Sequence, residues 1–486
     1  MESAEKVYKD PTKYRYLRER IAHWNRVSPQ KSNPKRIGAF YHKLLQHYYR
    51  FQIPPGLRIL ELGCGHGDLL AALKPSLGVG VDFSGEMIRS ASKKHPDLNF
   101  IQVDVHDVVF KETFDVIILS DLVNDLWDVQ ALFENLHTVV HPGTRLVLNF
   151  YNNLWRIPLS LVKWLGLGAD VQEQNWFSPH DIFNLLRLTG FEVIKQHPCI
   201  LFPLYIPFIS NLANRYLVNL FPFTLSALMN IVVAKPEPVP ERLRTDKPPS
   251  VSIVVAARNE AGNIQSILRR VPMMGSDIEI VFVEGHSSDH TYETIERVIK
   301  LFPHKKCRLF RQAGKGKGDA VRLGFENAKG DILMILDADL TVPPEDLPRF
   351  FDALVSGKGE FINGVRLVYP MEDESMRFFN ILGNKFFSLA FTWLLGQPLK
   401  DTLCGTKVLW KKDYESIAAN RAYFGNFDPF GDFDLLFGAA KLNLKISEVP
   451  IRYRSRTYGD TNIDRWRHGW LLLKMVFFAA KRIKFI

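Results

Sequence analysis

One stretch of fifteen residues divides this chain in two. Residues 235–249 read KPEPVPERLRTDKPP. Prolines fix φ and remove backbone donors, which disfavours helix and sheet alike, and the charges favour solvent. The stretch predicts a semi-rigid linker, and 486 residues are in any case too many for one ordinary core. On each side a fresh pattern starts from an apolar strand, LRILEL at 57–62 and SVSIVVAA at 250–257. Short β-branched runs then alternate with amphipathic helical stretches, as in parallel sheets with crossover helices. The expected class is α/β with two doubly wound domains, over 1–236 and 250–462. Between them lies the linker, at 237–249, and a basic amphipathic helix follows at 463–486.

In the first half, strands are predicted at Arg58–Leu62, Gly78–Asp82, Asn99–Val103, Val116–Leu119, Arg145–Asn149, Phe191–Lys195 and Asn230–Ala234. Seven strands with a late pair fit an open sheet that ends in an antiparallel edge. The aromatic, basic stretch from Tyr14 to Phe51 is helical in pattern; it either covers the site or packs on the sheet.

ELGCGHGDLL places Gly63, Gly65 and Gly67 straight after a strand and ahead of a helix. Glycines there let the backbone turn tightly and approach a ligand closely. The spacing is G-x-G-x-G rather than the dinucleotide G-x-G-x-x-G, and Glu61 precedes it. Asp82, at the tip of the next strand, is placed to accept two ribose hydroxyls, and Asp104, after the third, to accept an adenine amino group. This series resembles the class I methyltransferases that use S-adenosylmethionine (SAM), over roughly 35–236. The resemblance implies a Rossmann-like sheet with Glu61, Gly63, Gly65, Gly67, Asp82 and Asp104 around the cofactor. SDLVNDLWD supplies Asp121, Asn124 and Asp125 as candidates for a base. The apolar segment 198–234 is either an acceptor pocket or ordinary core, and core is the preferred reading.

In the second half, GDILMILDADLTVPPEDL ends an apolar run in Asp337-Ala338-Asp339. Carboxylates at i and i+2 of a strand share a face. Their hard oxygens suit Mg²⁺ or Mn²⁺, which neutralises a diphosphate. SIVVAARNEAGNI, VFVEGHSSDHT and the Gly/Lys loop AGKGKGDAVRLGF precede it, the last being no Walker loop because neither Lys315 nor Lys317 is followed by Ser or Thr. In this order the pieces resemble the family 2 GT-A glycosyltransferases, and within them the dolichyl- or polyprenyl-phosphate sugar transferases. That resemblance puts Ala257, Arg258, Glu260, Glu284, Lys317 and Arg366 around a nucleotide-sugar, with Asp337 and Asp339 on metal and diphosphate. Glu284-Gly285-His286 stands where such enzymes usually carry Asp-Asp-Gly, and Thr341 where they often carry Gln. Asp401, Asp432 and Asp434 are the candidates for a base. Arg366, Arg452, Arg454 and Arg456 have the planar fork suited to a phosphate, with Arg456 counted among the catalytic residues.

The formal charge of +10 fits anionic partners. The basic residues follow the phosphate-handling motifs, so nucleic acid is not expected. Four scattered cysteines indicate neither zinc nor disulfides, and the charged N-terminal stretch lacks a signal-peptide core. No apolar run approaches the length of a membrane span, and the tail from Trp466 reads as an interfacial helix or a domain cap. The resulting expectation is a bifunctional enzyme at the cytoplasmic face of a membrane. It methylates with SAM and transfers a sugar to a polyprenyl-phosphate or another glycoconjugate acceptor at the inner leaflet. The alternatives are a glycosyltransferase with a non-catalytic first domain, and a membrane-surface scaffold that binds nucleotide-sugar or lipid.

Overall fold

The computed structural model describes residues 11–31, 39–164, 172, 174–238, 247–366, 378–423, 433–451, 454, 456, 458 and 465–486. The chain forms two compact units, 1–237 with 485–486, and 238–484. Residues 239–246 of the expected linker lie outside the described part.

In the first unit the strands are β1 (Arg58–Leu62), β2 (Leu77–Asp82), β3 (Asn99–Gln102), β4 (Phe114–Leu119), β5 (Val140–Tyr151), β6 (Phe191–Cys199) and β7 (Met229–Pro236). They form one sheet in the order β3-β2-β1-β4-β5-β7-β6. β7 runs antiparallel to β5 and β6, which makes the predicted antiparallel edge. β5 is longer than expected because it runs back through Pro142-Gly143, with an irregularity opposite Phe114–Val116. Alternation along the buried strands feeds two cores. Leu60, Leu62, Ile117 and Leu119 enter one; Ile59, Val116, Ile118 and Val147 enter the other. The chain leaves β1 with neighbours on both sides, β2 and β4, so the crevice at its carboxyl end is where such a sheet binds ligands.

The two readings of the N-terminal stretch each hold for one helix. α2 (Ala39–Gln52) packs on the sheet, with Tyr41, Leu45, Tyr48 and Tyr49 in the second core. α1 (Pro11–Lys31) instead reaches the carboxyl ends of β1, β2 and β4: Ser28 O meets His66, Asn25 accepts from Ser84, and Trp24 donates to Asp125.

The segment 198–234 also divides. Cys199, Ile200 and Leu228–Ala234 are core, as preferred from sequence. The middle, from Leu204 to Leu225, is a series of short helical turns that leaves most large apolar side chains in solvent. Apolarity alone did not separate these cases, because strand and excursion share it.

In the second unit the strands are β8 (Val251–Ala257), β9 (Ile278–Glu284), β10 (Lys306–Arg311), β11 (Ile332–Ile335), β12 (Phe361–Val365), β13 (Lys407–Trp410) and β14 (Ile446–Pro450). Their order is β10-β9-β8-β11-β13-β12-β14, with β13 antiparallel to β11 and β12. Helices 264–270, 291–301, 317–327 and 347–355 connect the strands, and a core including Ile253, Phe282, Met334 and Phe350 fills the interior. The tail carries a helix at Arg465–Ala479 that buries Leu472, Met475 and Ala479 and exposes Trp470 and Phe477. No described helix is long and apolar enough to cross a membrane.

Candidate active sites

In the first unit, the turn after β1 depends on backbone that side chains rarely adopt. Gly63, Gly65 and Gly67 all have positive φ, and a Cβ on Gly65 would meet nothing within 4 Å, so the turn opens on free space. Asp82 is buried, accepting from Gly65 N at 3.0 Å and from Ser84 N at 2.8 Å. The same carboxylate thus ties the glycine turn to the end of β2. Glu61 accepts from Leu70 N at 3.1 Å, and burial pushes its carboxyl up to about 8. Asp104 Oδ1 caps the next turn through His106 N and pairs with His106 Nδ1 at 2.8 Å. Burial raises the Asp104 pKa, but the His106 contacts outweigh it and hold the carboxyl below its ordinary range. Asp104 Oδ2 is buried without a hydrogen-bond partner. An orphaned acceptor beside an open glycine turn and the buried Asp82 carboxylate fits an adenosine cofactor with an amino group to donate.

The loop after β4 corrects the expectation of a base. Asp125 is ion-paired with Arg20 and accepts from Trp24 Nε1 at 2.9 Å, both on α1. Asn124 is buried in backbone bonds to Tyr151 and Asn175. Both are structural. Asp121 differs: its Oδ1 accepts from Tyr41 OH and from Asn149 Nδ2, each at 2.7 Å, and Tyr49 OH donates to Asn149 at 2.7 Å. The sequence did not single out Tyr41, Tyr49 or Asn149, and α2 spacing was the only hint.

In the second unit, β11 ends at Ile335, so the two aspartates sit on the turn beyond the strand rather than on alternating strand positions. Leu340 N closes that turn on Asp337 O, and Leu340 has positive φ. Thr341 donates to Asp339 Oδ1 from its backbone N at 3.1 Å and its hydroxyl at 2.8 Å, fixing that carboxylate. Asp337 pairs with Lys317 Nζ at 2.6 Å. Burial drives the Asp337 carboxyl up, yet Lys317, Lys407 and Arg366 prevail and hold it below the usual range. A Cβ on Gly405 would fall 2.0 Å from Asp337 Oδ2 and 2.4 Å from Lys317 Nζ, so glycine is what lets this pair lie against the backbone.

Arg456 joins two of the expected residues. It donates to Glu260 Oε1 at 3.1 Å and to Asp339 Oδ2 at 2.7 Å. Asn263 donates to the other Glu260 oxygen, and burial pushes the Glu260 carboxyl up to about 7. Glu284 stands opposite Ala257 in the β8–β9 register and is buried. Ser287 N and Arg311 Nε donate to it; burial alone would raise its pKa, but these partners hold it low. Arg258 is exposed beside this edge. Arg311 had not been singled out in the sequence, since an exposed strand-end arginine has no pattern.

Two expected bases are paired with arginines. Asp401 is fully buried and grips Arg366 through Nε at 2.6 Å and Nη2 at 2.8 Å, while also accepting from Leu403 N and Cys404 N. It orients that arginine. Asp434 is buried at the start of helix 433–441 and pairs with Arg322 and Arg421. Asp432 and Arg452 lie outside the described residues. Among the described residues, no group of three or more His, Cys, Asp or Glu could hold a metal. A divalent ion at Asp337 and Asp339 would therefore complete its shell from ligand oxygens, which suits a metal that arrives with a diphosphate.

Residues 21–196 match a methyltransferase domain family and residues 252–417 match Glycosyl transferase family 2. A dolichol-phosphate mannosyltransferase of Pyrococcus furiosus is 28% identical over 246 residues, 48% of this chain and 67% of the relative. An undecaprenyl-phosphate 4-deoxy-4-formamido-L-arabinose transferase of Pseudomonas fluorescens is 25% identical over 228 residues, and the match spans 61% of its length. A SAM-dependent methyltransferase structure from Mesorhizobium loti aligns with TM-score 0.32 at 21% identity, over 39% of this chain and 96% of that one. The chain is a fusion of a methyltransferase domain with a family 2 glycosyltransferase domain, two transferases on one polypeptide.

Proposed function

We propose that the first unit transfers a methyl group from SAM and that the second transfers a sugar from a nucleotide-sugar to a polyprenyl phosphate at a membrane's cytoplasmic face. The observation that carries the second half is Arg456, which links Glu260 to Asp339 and so brings a phosphate-binding fork to the acid turn. The polyprenyl-phosphate acceptors named for both relatives support the acceptor class.

In the first unit, Asp82 would take the ribose hydroxyls, Asp104 Oδ2 the adenine amino group and the glycine turn the rest of the cofactor. SAM supplies an activated methyl on a sulfonium, so the protein's part is positioning. Asp121, held by Tyr41 and Asn149, is the acid at the carboxyl end of β4 that remains available to orient an acceptor or take its proton. In the second unit, Asp337 and Asp339 would hold Mg²⁺ or Mn²⁺, which neutralises charge on the leaving diphosphate. The acceptor phosphate oxygen attacks the anomeric carbon, the bond from that carbon to the diphosphate breaks, and the nucleoside diphosphate leaves with the electron pair and with inversion. That nucleophile is already anionic, so the burial of Asp401 and Asp434 costs the reaction nothing. Arg366, aimed by Asp401, and Arg456 would balance the charge of donor and acceptor.

The test is product analysis by mass spectrometry, with Mg²⁺ or Mn²⁺, SAM, a nucleotide-sugar panel and a short-chain polyprenyl phosphate in detergent. A lipid-linked monosaccharide is the expected product. Equal transfer to soluble saccharides, or transfer from no donor, overturns the acceptor or the donor assignment respectively.

A further inference from the structure

The excursion between β6 and β7 is built inside out. Its polar side chains Ser210, Asn214 and Asn219 are buried, while Phe208 is 91% and Phe221 81% exposed. The segment is tightly stitched. Asn214 accepts from Leu201 N and Phe202 N and donates to Phe202 O, and Ser210 bridges Ile206 N and Leu204 O. Phe208 has positive φ, a conformation its side chain resists, and it still points outward. Helix 156–164 repeats the arrangement: Ile157, Leu161 and Trp164, at i, i+4 and i+7, form one stripe with Ile157 79% and Trp164 80% exposed. The two pieces adjoin, because Asn152 Nδ2 donates to Leu225 O and Trp155 Nε1 to Ser226 O.

Of the twenty-seven large apolar side chains exposed among the described residues, four lie in 154–164 and eleven in 204–225. An apolar face so concentrated marks a docking surface rather than ordinary scatter. Charge identifies the occupant. Neither 152–164 nor 198–228 contains an Asp or Glu, and their charges are Arg156, Lys163 and Arg215, all positive. Tryptophan, tyrosine and phenylalanine among aliphatics, with positive charge and no acid, is the chemistry of the boundary between headgroups and acyl chains. No described helix is long enough to span, so the contact is shallow.

We propose that residues 154–164 and 204–225 of the methyltransferase unit form a monotopic docking face for an anionic lipid leaflet. This deepens the reading above, which places the sugar acceptor in a membrane, by assigning membrane attachment to the other unit. The full chain is floated with phosphatidylcholine vesicles and with phosphatidylcholine–phosphatidylglycerol vesicles. The expected result is binding to the anionic vesicles, reduced about tenfold or more by the pair Phe208→Asp and Phe221→Asp, and likewise by Ile157→Asp with Leu161→Asp. All four positions are exposed, and unchanged SAM binding by calorimetry shows that the variants fold. The pair Trp470→Asp and Phe477→Asp, on the C-terminal helix, is expected to leave most binding intact.

Wild-type failure to float, or variants that float as well as wild type, overturns the proposal. So does a wild-type dimer that the Phe208/Phe221 variant makes monomeric with vesicle binding unchanged, because a second copy then covers the face. Sugar transfer to short-chain polyprenyl phosphate in detergent separates the two ideas. If it persists while flotation fails, the docking face alone falls.

Discussion

The two sites answer their acids differently. In the first unit Asp82 is met by Gly65 N and Ser84 N, and Glu61 by Leu70 N, all neutral backbone donors. In the second, Asp337 is met by Lys317, Asp339 by Arg456, Glu284 by Arg311 and Asp401 by Arg366. Backbone donors orient a carboxylate without carrying a countercharge of their own, and Glu61, raised by burial to about 8, is held mostly protonated near neutral pH. Side-chain cations neutralise the acids until something else brings charge, and they can turn to an anionic ligand when metal and diphosphate arrive.

Four substitutions or conditions test this contrast. Asp337→Asn is expected to cost about a thousandfold in sugar transfer while SAM binding stays unchanged, since it removes a carboxylate from the charge-handling turn. Loss of both activities together would break the independence of the sites. Gly405→Ala is expected to lower transfer about a hundredfold, because its Cβ displaces the Asp337–Lys317 pair; comparison of kcat and KM for the donor reads this. Asp82→Ala is expected to weaken SAM binding by roughly tenfold to a hundredfold in calorimetry, the worth of charged hydrogen bonds to two hydroxyls. Arg456→Gln is expected to tighten Mn²⁺ binding without nucleotide by about fivefold, since a competing, partly exposed ion pair is gone, and weaker Mn²⁺ binding would contradict the exchange argument.

The contrast also has a pH signature. Burial raises Glu61 in the folded protein to about 8, above its ordinary value, so folding favours the protonated form. The stability this contributes is fully present below the ordinary value of 4.5 and is lost progressively as pH rises from there to about 8, by a few kcal/mol at most. Melting of the ligand-free protein is expected to show the methyltransferase transition falling over that window and Glu61→Gln flattening the fall. An identical slope in both proteins would remove Glu61 as the cause.

Much of this was readable from sequence wherever a residue's role is local. The glycines at 63, 65 and 67, the acids at strand tips and the strand pattern itself are set by neighbours a few positions away. The pairing of Asp401 and Asp434 was not legible, because a carboxylate near an acceptor-side motif looks alike whether it takes a proton or grips an arginine. Only the partners, Arg366 for one and Arg322 with Arg421 for the other, decide. Asp125 was misread similarly, since Arg20 and Trp24 lie a hundred or so positions earlier. The outward face of 204–225 was hidden because composition reports how apolar a segment is and not which side of it meets water.

Helix α1 carries a kinetic consequence. It is fastened over the first site through Arg20 and Trp24 to Asp125, through Asn25 to Ser84, and through Ser28 to His66. Glu61 and Asp82 lie buried in the crevice it crosses, and Asp104 is half-buried. For the cofactor proposed above, entry and exit would require those fastenings to part, which makes cofactor exchange the step to compare with methyl transfer in repeated turnover.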